Sequence, residues 1–237
     1  MQLPPLTDGR ILNRYKRFLA DVELPGGEVV TVHCPNTGSM RGCWEPGAPV
    51  QISHSDNPRR KLAWTLERVD MGRGWVGVHT GRTNPVVEEA LHAGVLAPLR
   101  GYHSIAREVP FSLIAGERSR FDFFLSQGKA ADAWVEVKNV TLLLNDGLSF
   151  PDAVTVRGRK HLEALAEACR QGLRGIMVYA LNRPEGDCFR PADEIDRAYG
   201  ETLRRVVHES GVELVGVRIE HRESSMRVVG EVPVVLD

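Results

Sequence analysis

Three side chains in the middle of the chain have the types and spacing that carry phosphoryl chemistry: Asp122, Glu136 and Lys138. Strand side chains alternate faces, so over residues 133–140 Trp134, Glu136 and Lys138 share one face, opposite Val135 and Val137. Over 120–125 the same alternation sets Arg120, Asp122 and Phe124 on one side and Phe121, Phe123 and Leu125 on the other. If these strands are adjacent and antiparallel, Asp122 lies beside Glu136. Two carboxylates so close in a partly buried place repel unless a cation or a proton joins them. Mg²⁺ (or Mn²⁺) suits the pair, because it takes one or two carboxylates and completes its shell with waters and phosphate oxygens. An ammonium at Lys138 can orient or deprotonate a water there and offset charge on a phosphate in flight. The implied reaction is phosphodiester hydrolysis.

The triplet alone carries little information. Glu136-Val137-Lys138 is the only acid-x-Lys in the chain, yet with this many acids and five lysines one such triplet arises by chance about half the time. A solvated cross-strand ion pair is the competing reading. Context separates the two: an acid of matching parity on the preceding strand, apolar flanks on both strands, and a helix afterwards.

The elements that must position these residues fall into two parts. Residues 1–80 read as short strands, at 29–33, 50–54, 62–69 and 75–79, divided by turns such as Pro25-Gly26-Gly27 and Pro46-Gly47; that spacing predicts a small barrel or sandwich. Near residue 80 the pattern changes. Asn84-Pro85 followed by Glu88 and Glu89 has the form of a capped helix start, with Val87, Ala90 and Leu91 as its apolar stripe. Strands follow at 106–111, 120–125 and 133–140, then the turn Asn145-Asp146-Gly147. A helix interior at 160–170 buries Leu162, Leu165, Ala166 and Cys169, with Gly172 as its stop and Thr155 as the better N-cap candidate. A strand at 175–181, a helix at 196–209 and strands at 212–219 and 226–235 complete an αβββαβ order. The expected fold is α+β overall, a barrel over 1–80 and an α/β domain with a central mixed sheet over 81–237.

Composition narrows the function classes. The net charge of −1 conceals a split: residues 1–80 hold ten Lys/Arg against eight Asp/Glu, the rest twenty against twenty-three, so any basic surface is local. There is no long apolar run and no secretory leader pattern, which predicts a cytoplasmic protein with no membrane partner. The four cysteines make no disulfide framework. His33, Cys34 and Cys43 lack a fourth zinc ligand.

Several strings together resemble a known family. Arg14-Tyr15-Lys16-Arg17-Phe18-Leu19-Ala20-Asp21-Val22, the loop His33-Cys34-Pro35-Asn36-Thr37-Gly38-Ser39-Met40, Arg118-Ser119-Arg120 with Asp122, the Glu136 triplet, and Phe150-Pro151-Asp152-Ala153-Val154-Thr155 with Arg157-Gly158 and Lys160-His161-Leu162 are similar to the sugar fermentation stimulation protein A (SfsA) family. The similarity spans nearly the whole chain. Asp122 with Glu136-x-Lys138 also looks like the PD-(D/E)xK nuclease superfamily. The resemblance implies an N-terminal OB-like barrel, a C-terminal restriction-endonuclease-like domain, and largely sequence non-specific DNA binding, single- or double-stranded. It also implies a role in regulating sugar, notably maltose, metabolism, so a DNA-binding regulator without chemistry is the alternative to a Mg-dependent nuclease. One departure stands out: Phe121, not proline, precedes Asp122. A literal Pro151-Asp152 occurs later, but no acid-x-Lys follows it, so Asp152 reads as a turn or cap residue.

The remaining candidates support this site. Superfamily sites often take a third carboxylate from the preceding helix, which nominates Glu89; plain surface solvation is its alternative. Arg157 and His161, four apart, can both lean toward Asp122, and His161 is a catalytic candidate or a satisfied core histidine. Lys160 points away from the apolar face and is a poorer candidate. Arg118 and Arg120 can grip phosphate oxygens or mark a charged strand edge. In the barrel, Arg14, Lys16 and Arg17 interleave with Tyr15 and Phe18, and Arg59-Arg60-Lys61 adds charge; basic residues beside aromatics suit DNA. The loop from Asn36 to Ser39 either cradles a phosphate or makes a tight turn. Oligomeric state is open.

Overall fold

The fold is that of a computed structural model, which describes residues 1–112, 118–145 and 147–237, with Arg118 by its backbone alone. Six strands come first: β1 (Leu6–Tyr15), β2 (Leu19–Glu23), β3 (Val29–His33), β4 (Pro49–His54), β5 (Trp64–Asp70) and β6 (Trp75–Gly77). They order β3-β2-β1-β4-β5-β6, and a parallel bridge from His33 to Thr65 joins β3 to β5, closing the first five into a barrel. Its core is Ile11, Ala20, Val22, Val32, Val50, Ile52, Leu66 and Val69 with Cys34, Met40 and Cys43. The Pro25-Gly26-Gly27 turn needs its glycines, since both sit at positive φ.

β1 and β2 go beyond the strands expected from sequence. β1 carries Asp8, Gly9, Arg10, Asn13 and Arg14, and Ile11 is its only fully buried residue, so it lacks the alternation that identifies a half-buried strand. Among the described residues no three His, Cys, Asp or Glu side chains gather as a metal cluster, and the Cys34 thiol lies against the Met40 sulfur at 3.4 Å.

After a 3-10 turn at Thr80–Arg82 come α1 (Thr83–His92), β7 (Ser104–Ser112), β8 (Arg118–Ser126), β9 (Ala133–Val140), β10 (Leu142–Leu144), β11 (Gly147–Phe150), α2 (Val156–Arg170), β12 (Arg174–Leu181), β13 (Phe189–Pro191), α3 (Asp193–Ser210), β14 (Glu213–His221) and β15 (Met226–Val232). The large sheet orders β15-β14-β12-β9-β8-β7. Its centre, β9-β12-β14, is parallel and both flanks are antiparallel, so the sheet is mixed. One face packs on α1 through Val86, Val87, Phe123, Val135, Val137, Ile176 and Val178. The other packs on α2 and α3 through Trp134, Leu162, Leu165, Met177, Tyr179, Tyr199 and Leu203. A barrel followed by an α/β domain is the fold class expected from sequence. The β10-β11-β13 sheet was not expected; its strands of three or four residues are too short to show a period.

Buried arginines tie the barrel to the second sheet. Arg68, 1% exposed, donates to the carbonyls of Arg222 and Glu223 at 2.6 and 2.7 Å. Arg183 donates to Thr141 and Gly42 carbonyls, and Arg82 pairs with buried Glu67 at 2.7 Å. Guanidinium groups satisfied by several acceptors fix geometry well, because losing an acceptor leaves a buried charge.

Candidate active site

β8 and β9 separate where the acids sit. Phe123 pairs with Val135 and Phe124 with Trp134, and one further step of that register sets Asp122 opposite Glu136. The ladder ends there. Asp122 replaces it with its own side chain: Oδ2 accepts the Val137 amide at 2.7 Å, a donor the departing β8 backbone no longer meets. Oδ1 accepts from Asn84 Nδ2 at 2.7 Å. The expected alternation fails at this step. Phe121 packs with Phe111 and Trp134 on the α2 side, whereas Phe123 and Leu125 pack on the α1 side. On the partner strand, Glu108, opposite Asp122 in register, adopts φ 52°.

Asn84 is a residue that sequence reading assigned to a different task. α1 begins at Thr83 and no side chain caps it; the Asn84 amide is spent on Asp122 instead. The expectation failed because the Asn-Pro pair fits a helix start equally well whichever way the amide turns.

Glu136 is 4% exposed. Its Oε1 receives Lys138 Nζ at 2.5 Å and lies against His161 Nδ1. Arg157 Nε donates to His161 Nε2 at 3.3 Å, and His161 Nδ1 also lies 3.2 Å from Lys138 Nζ, so the imidazole, the ammonium and Glu136 Oε1 form one cluster. All of this falls on Oε1. Oε2 is buried and has no partner. Burial alone would push the Glu136 carboxyl up, but the His161 hydrogen bond and the Lys138 charge hold it below its usual value. Asp122 goes the other way: burial, then the Glu136 charge, raise it to about 6 against the lowering effect of Val137 and Asn84. The pair is therefore an ionised carboxylate beside one reluctant to ionise, and one buried oxygen of the first has no partner.

Both acids line a cleft of about 420 Å³. Lys138, Asn139, Thr83 and Asn84 form its floor with them, Ser149, Phe150, Asp152 and Arg157 one wall, and Asn36, Thr37, Gly38 and Thr80 the side toward the barrel. Asp152, read from sequence as a turn residue, instead crosses to the barrel loop: Oδ2 accepts Ser39 N at 2.8 Å, Ser39 Oγ at 3.0 Å and Met40 N at 3.4 Å. No sequence signal marks a bond spanning 113 residues. Thr155 caps α2, accepting the Gly158 amide at 3.0 Å as expected.

Other candidates lie elsewhere. Glu89 is exposed and pairs with the Met1 ammonium at 2.7 Å, so it faces away from the acid pair. Arg14 donates to the carbonyls of Arg17, Asn36 and Gly38, and the exposed Arg17 donates to the Thr37 carbonyl, so both brace the 36–38 loop. Arg60 donates to Thr65 Oγ1 at 2.6 Å. Lys16, Arg59, Lys61 and Arg120 are exposed and outside the cleft lining. The Arg118 side chain lies outside the described residues, as does Asp146 of the expected turn.

The family model described as "Sugar fermentation stimulation protein RE domain" matches residues 81–225, and that described as "SfsA N-terminal OB domain" matches 12–78. A sugar fermentation stimulation protein homolog of Magnetococcus marinus is 51% identical over 216 residues, 91% of this chain and 90% of that one. The homolog of Geobacter metallireducens is 47% identical over the full length of both. Among solved structures, SfsA of Pyrococcus furiosus in complex with Ca²⁺ superimposes with a TM-score of 0.86 at 25% identity, covering 99% of this chain and 98% of that one.

Proposed function

The chain belongs to the sugar fermentation stimulation protein family, and from there we propose that it is a cytoplasmic, DNA-binding protein with a divalent-metal-dependent phosphodiesterase centre at Asp122, Glu136 and Lys138. One observation carries the reading: the buried, unpartnered Glu136 Oε2 beside the Asp122 carboxylate. A lone carboxylate oxygen out of water costs stability unless something positive meets it, and the raised Asp122 carboxyl signals the same deficit. Hard, oxygen-seeking ions fit such a pair. The Pyrococcus relative was solved with Ca²⁺, an ion of this class. Mg²⁺ or Mn²⁺ bound here would neutralise phosphate charge and acidify a water.

The chain's own residues divide the rest of the work. Asn84 and the Val137 amide hold Asp122, so its carboxylate cannot swing away. His161, buried against Glu136 Oε1, leaves Oε2 without a protein partner and is a positioning residue rather than one that meets substrate. Lys138 presents an ammonium beside the path of the phosphate and offsets charge building on its oxygens. Arg157, exposed at the wall and tethered through His161, supplies a second cation for a phosphate.

A second reading, a DNA-binding regulator of sugar metabolism without catalysis, draws support from the site's small acid count, since Glu89 faces away. Incubating labelled DNA with Mg²⁺ or Mn²⁺ separates the two. Cleavage by the native protein and none by Asp122→Ala supports the phosphodiesterase; equal cleavage by both removes these residues from the chemistry; retention of DNA without cleavage in either metal supports the regulator.

A further inference from the structure

The carboxylates lie under a roof contributed by the barrel, and that roof has little slack. The Asp152 carboxylate grips Ser39 and Met40. Arg14 Nη2 donates to the carbonyls of Arg17, Asn36 and Gly38 at 2.6, 2.9 and 3.0 Å. Arg17 donates to Thr37 at 2.7 Å, and Asn36 Oδ1 accepts the Gly38 amide at 2.9 Å. The fit is tight enough that a Cβ on Gly38 would stand 2.5 Å from Asp152 Oδ2. A duplex carries its phosphates on a convex surface with both strands stacked and paired, and cannot bring one under such a roof without displacing it. One unpaired strand can thread beneath.

Phe18 stands at the root of that roof. Lys16 and Arg17, at φ 50° and 67°, turn the chain so that Phe18 is 48% exposed, the one aromatic among the exposed large apolar side chains of the described residues. Its carbonyl accepts the Cys34 amide at 2.8 Å, and its neighbour Arg17 holds Thr37, so the backbone that carries the exposed ring is tied to the roof. Exposed Lys16 adds a cation beside it. An aromatic face flanked by cations stacks any unpaired base, whereas bases in a duplex already stack on one another.

Building on the phosphodiesterase reading, we propose that the cleft takes one unpaired DNA strand and excludes a blunt duplex, with the 36–40 loop as the excluding roof and Phe18 as the stacking face at its edge. The test measures anisotropy of labelled oligonucleotides of one sequence, as single strand, blunt duplex and duplex with an overhang. It is run with Ca²⁺ on the native protein, Phe18→Ala and Phe18→Trp. Single strand and overhang should bind at least about tenfold tighter than the blunt duplex; Phe18→Ala should weaken them by about 5- to 100-fold without moving the duplex, and Phe18→Trp should restore them. A blunt duplex bound as tightly as the single strand, or a Phe18→Ala loss equal on both, overturns the proposal. Unpaired-strand preference without cleavage in Mn²⁺ leaves this inference standing and removes the phosphodiesterase; cleavage of blunt duplex as fast as single strand does the reverse. Binding to none of the three overturns both.

Discussion

Asp122→Asn should stabilise the metal-free protein at alkaline pH and leave it unchanged in acid. Burial and the Glu136 charge raise the Asp122 carboxyl from 3.8 to about 6. Between those values the folded protein holds a proton that the unfolded chain has released. The resulting stability is present in full below about pH 4 and is lost as pH rises through about 6. At about 1.4 kcal/mol per pH unit the loss reaches about 3 kcal/mol by about pH 8, or about 6–10 °C in melting temperature for a chain of this size. Asparagine never ionises and escapes that loss. Its carboxamide oxygen can still accept the Val137 amide, and Asn84 can turn its own oxygen toward the new NH₂ group. The assay is denaturant unfolding of both proteins in chelator across this pH range, repeated with Mn²⁺. The gap should open through about pH 6, and Mn²⁺ should stabilise only the native protein. A variant no more stable at alkaline pH, or a gap independent of pH, would refute the reasoning.

Three further outcomes follow from neighbouring contacts. Asn84→Ala removes the 2.7 Å donor to Asp122 and should weaken Mn²⁺ binding about tenfold by calorimetry; unchanged affinity would mean that the Val137 amide suffices. Gly38→Ala forces a methyl group against Asp152 and should cost about 1–3 kcal/mol in thermal unfolding; a neutral result would mean the roof yields. Thr155→Ala deletes the α2 cap and should cost about 1 kcal/mol, measured the same way.

The chemistry-bearing residues were legible where a short-range rule governs them. The register shared by β8 and β9 places Asp122 by Glu136, and the i, i+4 spacing of Arg157 and His161 turns both toward that pair. Long-range bonds escaped. Asp152 looked like a turn residue because its partners lie in the other domain, and Asn84 looked like a cap because cap and carboxylate clamp use the same side chain. That Arg14 and Arg17 also brace the 36–38 loop escaped because a charge string does not reveal which carbonyls fold back to meet it. Phe121 broke alternation where β8 leaves its pairing with β9, and no residue of β8 itself signals that point. β1 stayed hidden for a related reason, as a barrel wall with one deeply buried side chain has almost no hydrophobic period.

Anomalous scattering from crystals grown with Mn²⁺ bears most directly on whether Asp122 and Glu136 share a divalent ion. The account predicts a peak touching both the Asp122 carboxylate and Glu136 Oε2, which vanishes in Glu136→Gln. A peak elsewhere, or none between these carboxylates at saturating Mn²⁺, would contradict it.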